Sequence, residues 1–301
     1  MSKSLAAIAF IMLLSMTPVI TQAVSPSPEQ LECINALEPM FLSNCASDYA
    51  VATTTAVEYA LCMKDRTKLK GIKISAQDII CNCTTCHTVP GNGCMGGKYK
   101  EALTYLKTKA LGGSYINAPL VTQAFAVAPA PLSNYSDCLA YFRPVCDPDV
   151  EDKCDIAPYN PKLATNCPTT CNRKTGAILI DTVRMNGIVG TTETKKTPAD
   201  YTLSLGQGRP LISTMEIFED MEFFLGTDNV YVHSAGQSLG VVNVVIVSTG
   251  EAGGVPFWVV LVPWDKKYDT GNKIKFNTIK IVKGVNHCNI ENEATEVVVV
   301  V

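Results

Sequence analysis

Cysteine and histidine are the residue types in this sequence that could bind a metal ion or form covalent cross-links. The chain contains thirteen cysteines and three histidines. One segment, Cys83-Thr84-Thr85-Cys86-His87, has both residue types at a spacing that resembles a zinc site. The other two histidines lie outside the cysteine clusters, so no complete set of zinc ligands is indicated. We therefore expect no metal and no other cofactor, and we interpret the cysteines as a disulfide framework with one thiol left over.

The N-terminal segment predicts the compartment in which such disulfides form. Lys3 provides a positive charge, an apolar run from Leu5 to Ile20 follows, and Thr21-Gln22-Ala23 offers the small residues that a signal peptidase reads. We predict a secretory signal peptide over residues 1–23. The alternative is a membrane anchor, but Ser, Thr and Pro interrupt the run before it reaches the ~20 residues that a span needs. We expect a mature protein without a membrane span that is secreted or extracellular, or held in a lysosome-like or granule compartment.

The composition is that of a folded protein without a strong charge. The 301 residues are 47% hydrophobic and 18% charged, which supplies enough apolar side chains for a buried core in one or two domains. The formal net charge is -3 and no basic stripe is visible, so we expect no nucleic-acid partner.

The distribution of cysteines divides the chain into two parts. Twelve cysteines lie between Cys33 and Cys171, whereas only Cys288 lies in the rest, which is rich in Val, Ile and Gly. This change in composition places a boundary near residues 172–178. Beyond it, β-branched runs bounded by Gly, Asn and Asp predict strands over residues 177–183, 241–247, 257–262 and 273–282.

The cysteine-rich part favours helices. Asp48–Cys62 is rich in alanine, and Asp48 could cap its start. Lys98–Leu111 has apolar residues along one helical face and is followed by Gly112-Gly113, a signal for a helix end. Residues 114–135 lack clear periodicity and contain prolines, so we predict a loop. Helices followed by strands are typical of the α+β class.

Three motifs of the sequence resemble those of a known family. They are Gly93-Cys94-Met95-Gly96-Gly97, Gly254-Val255-Pro256-Phe257-Trp258 and Asn286-His287-Cys288-Asn289-Ile290-Glu291-Asn292-Glu293. In this order they are similar to motifs of the papain-like cysteine peptidases, and of cathepsin B most closely. The resemblance covers residues 33–293. It implies a papain-like two-lobe fold, in which a helical, disulfide-rich lobe (24–171) and an antiparallel β-barrel lobe (172–301) enclose a cleft.

The same resemblance implies how the cysteines pair. The disulfides carried over from the family are Cys33–Cys62, Cys45–Cys94, Cys81–Cys167, Cys83–Cys86, Cys138–Cys171 and Cys146–Cys154. Cys288 is left as a free thiol, and its counterpart in the family is also unpaired.

The resemblance also identifies the positions that carry the chemistry of the family. A papain-like enzyme needs a thiolate at a helix N-terminus, a histidine, a residue that orients this histidine, and an oxyanion donor. The family motif Gln-Gly-x-Cys-Gly-Ser-Cys-Trp matches Leu42 to Tyr49, with Cys45 at its first cysteine. Asp48 then occupies the position of the nucleophile, and Leu42 occupies that of the oxyanion glutamine.

The histidine and its orienting residue are replaced as well. Gly240-Val241-Val242-Asn243 matches the family's Gly-Gly-His-Ala, which puts Val242 in the position of the catalytic histidine. A shift by one residue would put Asn243 there. Val262 takes the place of the orienting asparagine. None of the three histidines of the chain matches a catalytic position.

These replacements imply a secreted cathepsin B-like homologue that is not catalytic, a pseudopeptidase, and that acts by binding a peptide or protein. Two departures from the family agree with this. The loop between Cys146 and Cys154 is acidic and lacks the histidines that hold a substrate carboxylate in cathepsin B, and we expect no propeptide after the signal peptide. Gly96, Gly97 and Glu293 are the candidate peptide-binding residues, and a structural role is the alternative for each.

Two other functions stay open at this point. One is an active papain-like hydrolase in which Asp48 acts as nucleophile or base. The other is a structural secreted glycoprotein without a ligand. Asn134-Tyr135-Ser136 is an acceptor sequence for glycosylation, and so is Asn82-Cys83-Thr84. We expect the second to be less accessible because it lies between two disulfide cysteines.

Overall fold

The computed structural model of the protein describes residues 26–37, 42, 45–70, 74, 76–108, 189–190, 192–263 and 278–300. The helices of the first part are α1 (Pro28–Ala36), α2 (Asp48–Lys64), α3 (Ala76–Asn82) and α4 (Tyr99–Thr108), with a hairpin of β1 (His87–Val89) and β2 (Asn92–Gly97) before α4. The second part contains β3 (Glu193–Lys195), α5 (Pro198–Gly206), β4 (Leu211–Phe218), the 3-10 helix η1 (Glu219–Phe224), β5 (Val230–Tyr231), β6 (Ser238–Ala252), β7 (Val255–Leu261), β8 (Thr278–Val282), the 3-10 helix η2 (His287–Asn289) and β9 (Ala294–Glu296).

Helix α2 is buried along almost its whole length. Every residue from Asp48 to Cys62 is buried, as is typical of a helix enclosed on all sides. The hydroxyls of Thr53 and Thr54 donate to carbonyl groups one turn earlier, which satisfies these polar groups inside the core. Because the helix is enclosed, tertiary packing keeps this segment of weak helix propensity helical. The predicted helix is confirmed. Its first residue is Asp48, and the capping position belongs to Ser47, whose side chain makes no capping hydrogen bond.

Helix α4 confirms the second predicted helix over Tyr99–Thr108, with the buried face that the apolar periodicity indicated. Its predicted end at Gly112 lies outside the described residues. Helix α1 was not predicted. It begins with Ser27 as N-cap, whose side chain accepts a hydrogen bond from the backbone of Gln30, while the Gln30 side chain accepts one from the backbone of Ser27.

The strands of the second part form one seven-stranded sheet in the order β3-β9-β4-β6-β7-β8-β5. The α+β class is therefore confirmed. The expected antiparallel β-barrel is wrong for the described residues, because the sheet is open, with β3 and β5 at its two ends, and β5 pairs with β8 in parallel. Closing a barrel needs a staggered ladder of hydrogen bonds between the two end strands. The end strands are too short for this, with three residues in β3 and two in β5.

The two faces of the sheet contribute to different hydrophobic cores. Alternate residues of a strand point to opposite faces. Val245 and Val247 of β6 pack in the core that contains α2, whereas Val244 and Ile246 pack in the core that contains Tyr201 of α5. Strand β6 is thus shared by both cores, and it runs alongside α2.

The predicted strands over residues 241–247 and 257–262 are confirmed by β6 and β7, and β8 forms part of the strand predicted over 273–282. Four other predictions lie outside the described residues: the signal peptide (1–23), the strand over 177–183, the loop over 114–135 and the boundary near residues 172–178.

Candidate functional site

The site is built where the N-terminus of α2 meets strand β6. Asp48, the first residue of α2, is 9% exposed. Its Oδ2 atom accepts a hydrogen bond from the backbone N–H of Asn243 at 2.7 Å and a second one from the side-chain amide of Asn243. A buried carboxylate is tolerated when such donors satisfy it. The two residues therefore form a polar contact between helix and sheet.

Strand geometry explains why Asn243 and not Val242 contacts Asp48. Asn243 lies on the same face of β6 as Val245, which packs in the core with α2. Val242 points to the opposite face and packs against the other core. Of the two alternatives for the histidine position, the structure brings Asn243 to Asp48. A strand that is apolar on both faces gives no alternation from which this could have been recognised.

The electrostatics of Asp48 follow from its burial. Burial raises the pKa of the Asp48 carboxyl, and the hydrogen bonds from Asn243 and from the first amides of α2 act in the opposite direction. An asparagine amide neither takes up nor releases a proton at physiological pH. The pair can hold the two elements together, but it contains no partner for proton transfer.

The other two positions at which the resemblance implies a replaced catalytic residue carry apolar side chains in apolar surroundings. Val262 is buried in the core that also contains Tyr201 and Trp258. Leu42 is partly buried against the core that contains α2. Neither side chain has a hydrogen-bond donor for a developing oxyanion or an acceptor to orient an imidazole.

All three histidines make hydrogen bonds away from Asp48. His87 is buried, with its Nε2 atom 2.8 Å from the carbonyl oxygen of Ile80. The Nδ1 atom of His233 lies 3.0 Å from Oδ1 of Asp220. His287 accepts a hydrogen bond at Nε2 from the backbone N–H of His233. No local pattern in the sequence indicates the contacts of His233 with His287 and Asp220, because the fold brings together residues that are distant in the chain.

The cysteines near His87 are not free to bind a metal, since Cys83 and Cys86 form a disulfide. Within the part of the chain that the structure describes, no group of three or more Cys, His, Asp or Glu side chains is arranged to hold a metal ion. Cys33–Cys62 and Cys45–Cys94 are also bonded, as the family resemblance implied.

The remaining cysteines divide between described and undescribed parts of the chain. Cys81 is disulfide-bonded, and its expected partner Cys167 lies outside the described residues. The pairs expected for Cys138–Cys171 and Cys146–Cys154 lie there too. Cys288 is a buried free thiol, and burial raises its pKa to about 12.

The three candidate peptide-binding residues have structural contacts. A Cβ atom at Gly97 would lie 2.6 Å from the ring of Tyr49, so only glycine fits beside this ring. Gly96 has a φ of +85°, which favours glycine. Glu293 forms an ion pair with Lys100 at 2.6 Å, and both side chains are nearly half exposed. Lys100 was not recognised from the sequence, because it lies 193 residues from Glu293.

Of the two glycosylation sequences, only the one at Asn82 is described. The side chain of Asn82 is exposed at the end of α3 and donates a hydrogen bond to Asp78. Asn134 and the acidic loop between Cys146 and Cys154 lie outside the described residues.

Comparisons with known proteins identify the family. The family model described as "Papain family cysteine protease" matches residues 38–298 of the sequence. This chain belongs to the papain family of cysteine proteases. Among curated papain-family relatives, "Cathepsin B-like cysteine proteinase 5" of Caenorhabditis elegans is 30% identical over 255 residues, which are 84% of this chain and 67% of the relative. "Cathepsin B-like cysteine proteinase 1" of Ostertagia ostertagi is 22% identical over 278 residues, 90% of this chain and 71% of the relative.

The fold agrees with the papain family. The structure of procathepsin B S9 from Trypanosoma congolense superimposes with a TM-score of 0.63 at 20% sequence identity, over 99% of this chain and 84% of the other. The fold class and the cathepsin B-like resemblance predicted from the sequence are thereby confirmed. No helix among the described residues is long and apolar enough to cross a membrane.

Proposed function

We propose that this papain-family chain does not cleave peptides and acts by binding a peptide or protein. The observation that carries the proposal is the contact between Asp48 and Asn243. Asp48 stands where the family resemblance places the nucleophile, and Asn243 is the residue that takes the histidine position if the match is shifted by one residue. A carboxylate bonded to an amide replaces a thiol beside an imidazole.

The chemistry of these groups supports inactivity. Attack on a peptide carbonyl needs an activated nucleophile, a group that moves its proton, and a donor for the oxyanion. The Oδ2 atom of Asp48 is already an acceptor of two hydrogen bonds, and Asn243 cannot move a proton. Leu42 offers no side-chain donor. The same points count against the alternative of a hydrolase that uses Asp48, because a carboxylate nucleophile still needs a second acid–base group.

A binding role in the secretory pathway is the best remaining function. The fold keeps two cores that meet along β6, and disulfides of this kind form in oxidising compartments. We propose a secreted, lysosome-like or granule location, and neither a nucleic-acid partner nor a cofactor. The ligand is a peptide or protein, and a structural glycoprotein without a ligand is the rival.

Two measurements test this proposal. Protein secreted from eukaryotic cells is assayed with fluorogenic cathepsin-type peptides from acidic to neutral pH, beside a mock preparation and an active papain-family enzyme in the same buffers. We expect no turnover above the mock. Turnover that disappears in Asp48→Ala would instead support the hydrolase. Polypeptides that copurify with the native protein are then identified by mass spectrometry, and their absence would favour the structural glycoprotein.

A further inference from the structure

The sheet face that packs on α2 continues beyond the end of this helix. Paired residues on neighbouring strands share a face. The β4–β6 register pairs Ile212 with Val245, Thr214 with Asn243, and Glu216 with Val241. Ile212 and Val245 are buried in the core with α2, and Asn243 is covered by Asp48. The next position along β6 on this face, Val241, is 65% exposed, so the cover that α2 provides ends at Asn243.

Further large apolar side chains are exposed next to this uncovered face. Leu239, two residues before Val241 on β6, is 51% exposed, and Phe223 of η1 is 73% exposed. Both line an open cavity of about 530 Å³ together with Glu219 and Glu222. A patch of exposed apolar side chains with polar residues around it is typical of an interaction surface. We name the residues Glu216, Glu219, Glu222, Phe223, Leu239 and Val241 the acidic shelf.

The charge of the acidic shelf selects the partner. Residues 210–242 contain no Lys or Arg. Glu216 accepts a hydrogen bond from the side chain of Asn289, and Glu219 accepts one from the backbone of Gln237. Within the described residues, no ion pair joins Glu216, Glu219 or Glu222 to a Lys or Arg. Among the described residues, the rim of the shelf is therefore negative and its glutamates have no Lys or Arg in an ion pair.

We propose that the acidic shelf binds an extended segment of another protein in which arginine or lysine alternates with apolar residues. A long cationic side chain places its aliphatic part on Phe223 and Leu239 and its charged end at Glu219 and Glu222. An arginine also gains from contact with the face of the Phe223 ring. This inference rests on the proposed binding function and gives it a location and a partner chemistry.

The test uses the full secreted protein and two labelled peptide probes of equal length. One is an acetylated and amidated hexapeptide of alternating Leu and Arg, and the other has Glu in place of Arg. Their dissociation constants are measured by fluorescence anisotropy for the wild type, Glu222→Gln and Phe223→Ser. Matched control variants are Glu101→Gln and Leu203→Ser, since these side chains are exposed on α4 and α5. Glu219 is left unchanged because it holds the backbone of Gln237.

We expect the Arg probe to bind and the Glu probe not to bind. The dissociation constant should rise about fivefold in Glu222→Gln, as for an exposed charge pair. It should rise about tenfold in Phe223→Ser, as for an aromatic anchor. The control variants should bind like the wild type. Binding should weaken with added salt.

The failure of this inference can be separated from a failure of the proposed function. Equal binding of both probes, or unchanged binding of the Arg probe in Glu222→Gln and Phe223→Ser, would overturn the acidic shelf. If native partners still copurify with a variant that carries both Glu222→Gln and Phe223→Ser, the shelf is refuted and the proposed binding function stands. If neither a probe nor a native polypeptide binds the wild type, both are refuted.

Discussion

Asn243 donates both its backbone N–H and its side-chain amide to the carboxylate of Asp48, and this contact connects the first residue of α2 to the middle of β6. One end of the helix is thus held to the strand by a polar contact. Farther along α2, the hydroxyl of Tyr59 donates to the carbonyl of Val247 at 3.1 Å. The residue that the family resemblance places at the nucleophile position therefore has a structural partner in this chain.

The stability of the protein should depend on this contact. Asp48→Ala leaves two donors of Asn243 without an acceptor, and each buried unsatisfied group costs about 1–3 kcal/mol. Asp48→Asn keeps one carboxamide oxygen as acceptor and should lose less, about 1 kcal/mol. Urea unfolding measures both free energies. The explanation is wrong if Asp48→Ala unfolds at the same urea concentration as the wild type.

Repair of the catalytic pair should depend on which residue of β6 receives the histidine. Because Asn243 faces Asp48 and Val242 faces the other core, Asp48→Cys with Asn243→His should form a thiolate more readily than Asp48→Cys with Val242→His. The rate of alkylation by iodoacetamide, measured as a function of pH, compares the two. Leu42 and Val262 remain, and residues of a catalytic group act together. We therefore expect no peptide turnover from either variant, and equal alkylation profiles would contradict the register.

Strand β6 was predictable as a strand, but the direction in which each of its side chains points was not. The run Val241-Val242-Asn243-Val244-Val245 is β-branched and predicts a strand, which the structure confirms. All of its residues except Asn243 are apolar, on both faces of the strand, so apolar and polar residues do not alternate, and a shift by one residue exchanges the two faces. For this reason the sequence left Val242 and Asn243 as alternatives, and only the packing of β6 on α2 separates them.

Long-range pairing set a second limit. Glu293 was recognised as a candidate binding residue from a motif, but its ion pair with Lys100 joins α4 to the segment before β9. No local pattern relates these two positions. Helices α2 and α4 were predictable because alanine content and apolar periodicity are local signals. The open form of the described sheet was not predictable, because it depends on the lengths of the end strands β3 and β5.

Gly97 should be intolerant of any side chain. In Gly97→Ala the added methyl group would lie 2.6 Å from the Tyr49 ring, and overpacking of this kind costs about 1–3 kcal/mol. Gly206→Ala is the matched control, because no atom lies within 4 Å of a Cβ atom there. Thermal unfolding of both variants tests this. If Gly97→Ala is as stable as Gly206→Ala, the close approach to Tyr49 does not exist in solution.

Acid should weaken the contact between His287 and His233. Burial lowers the pKa of His287 from its ordinary value of 6.5, and the neighbouring His233 lowers it further, while Asp220 raises it. Because the folded-state pKa is depressed, the stabilisation is present above the unfolded pKa and is lost as the pH falls through 6.5 towards the folded value. Protonation at Nε2 removes the acceptor for the backbone N–H of His233, a loss of about 1 kcal/mol.

His287→Gln tests this pH dependence. Glutamine provides an uncharged acceptor, so the variant should lose less stability than the wild type between neutral and acidic pH. Melting temperatures at matched pH values give the comparison. If the melting temperatures of the two proteins fall equally with pH, the protonation of His287 does not destabilise the folded state.

The free thiol of Cys288 should be slow to react in the folded protein. Burial raises its pKa to about 12, and the charges of Glu216 and Asp220 act in the same direction. At neutral pH the thiolate fraction is then on the order of a thousandfold below that of an exposed cysteine. Iodoacetamide should label almost nothing in the native state.

In urea without a reductant, iodoacetamide should label Cys288 alone, because the other cysteines are expected in disulfides. Peptide mass mapping identifies the labelled positions, and the control is the same protein reduced before labelling, which should react at every cysteine. Rapid labelling of Cys288 in the native state would contradict its burial, whereas labelling of other cysteines in urea would contradict the disulfide framework.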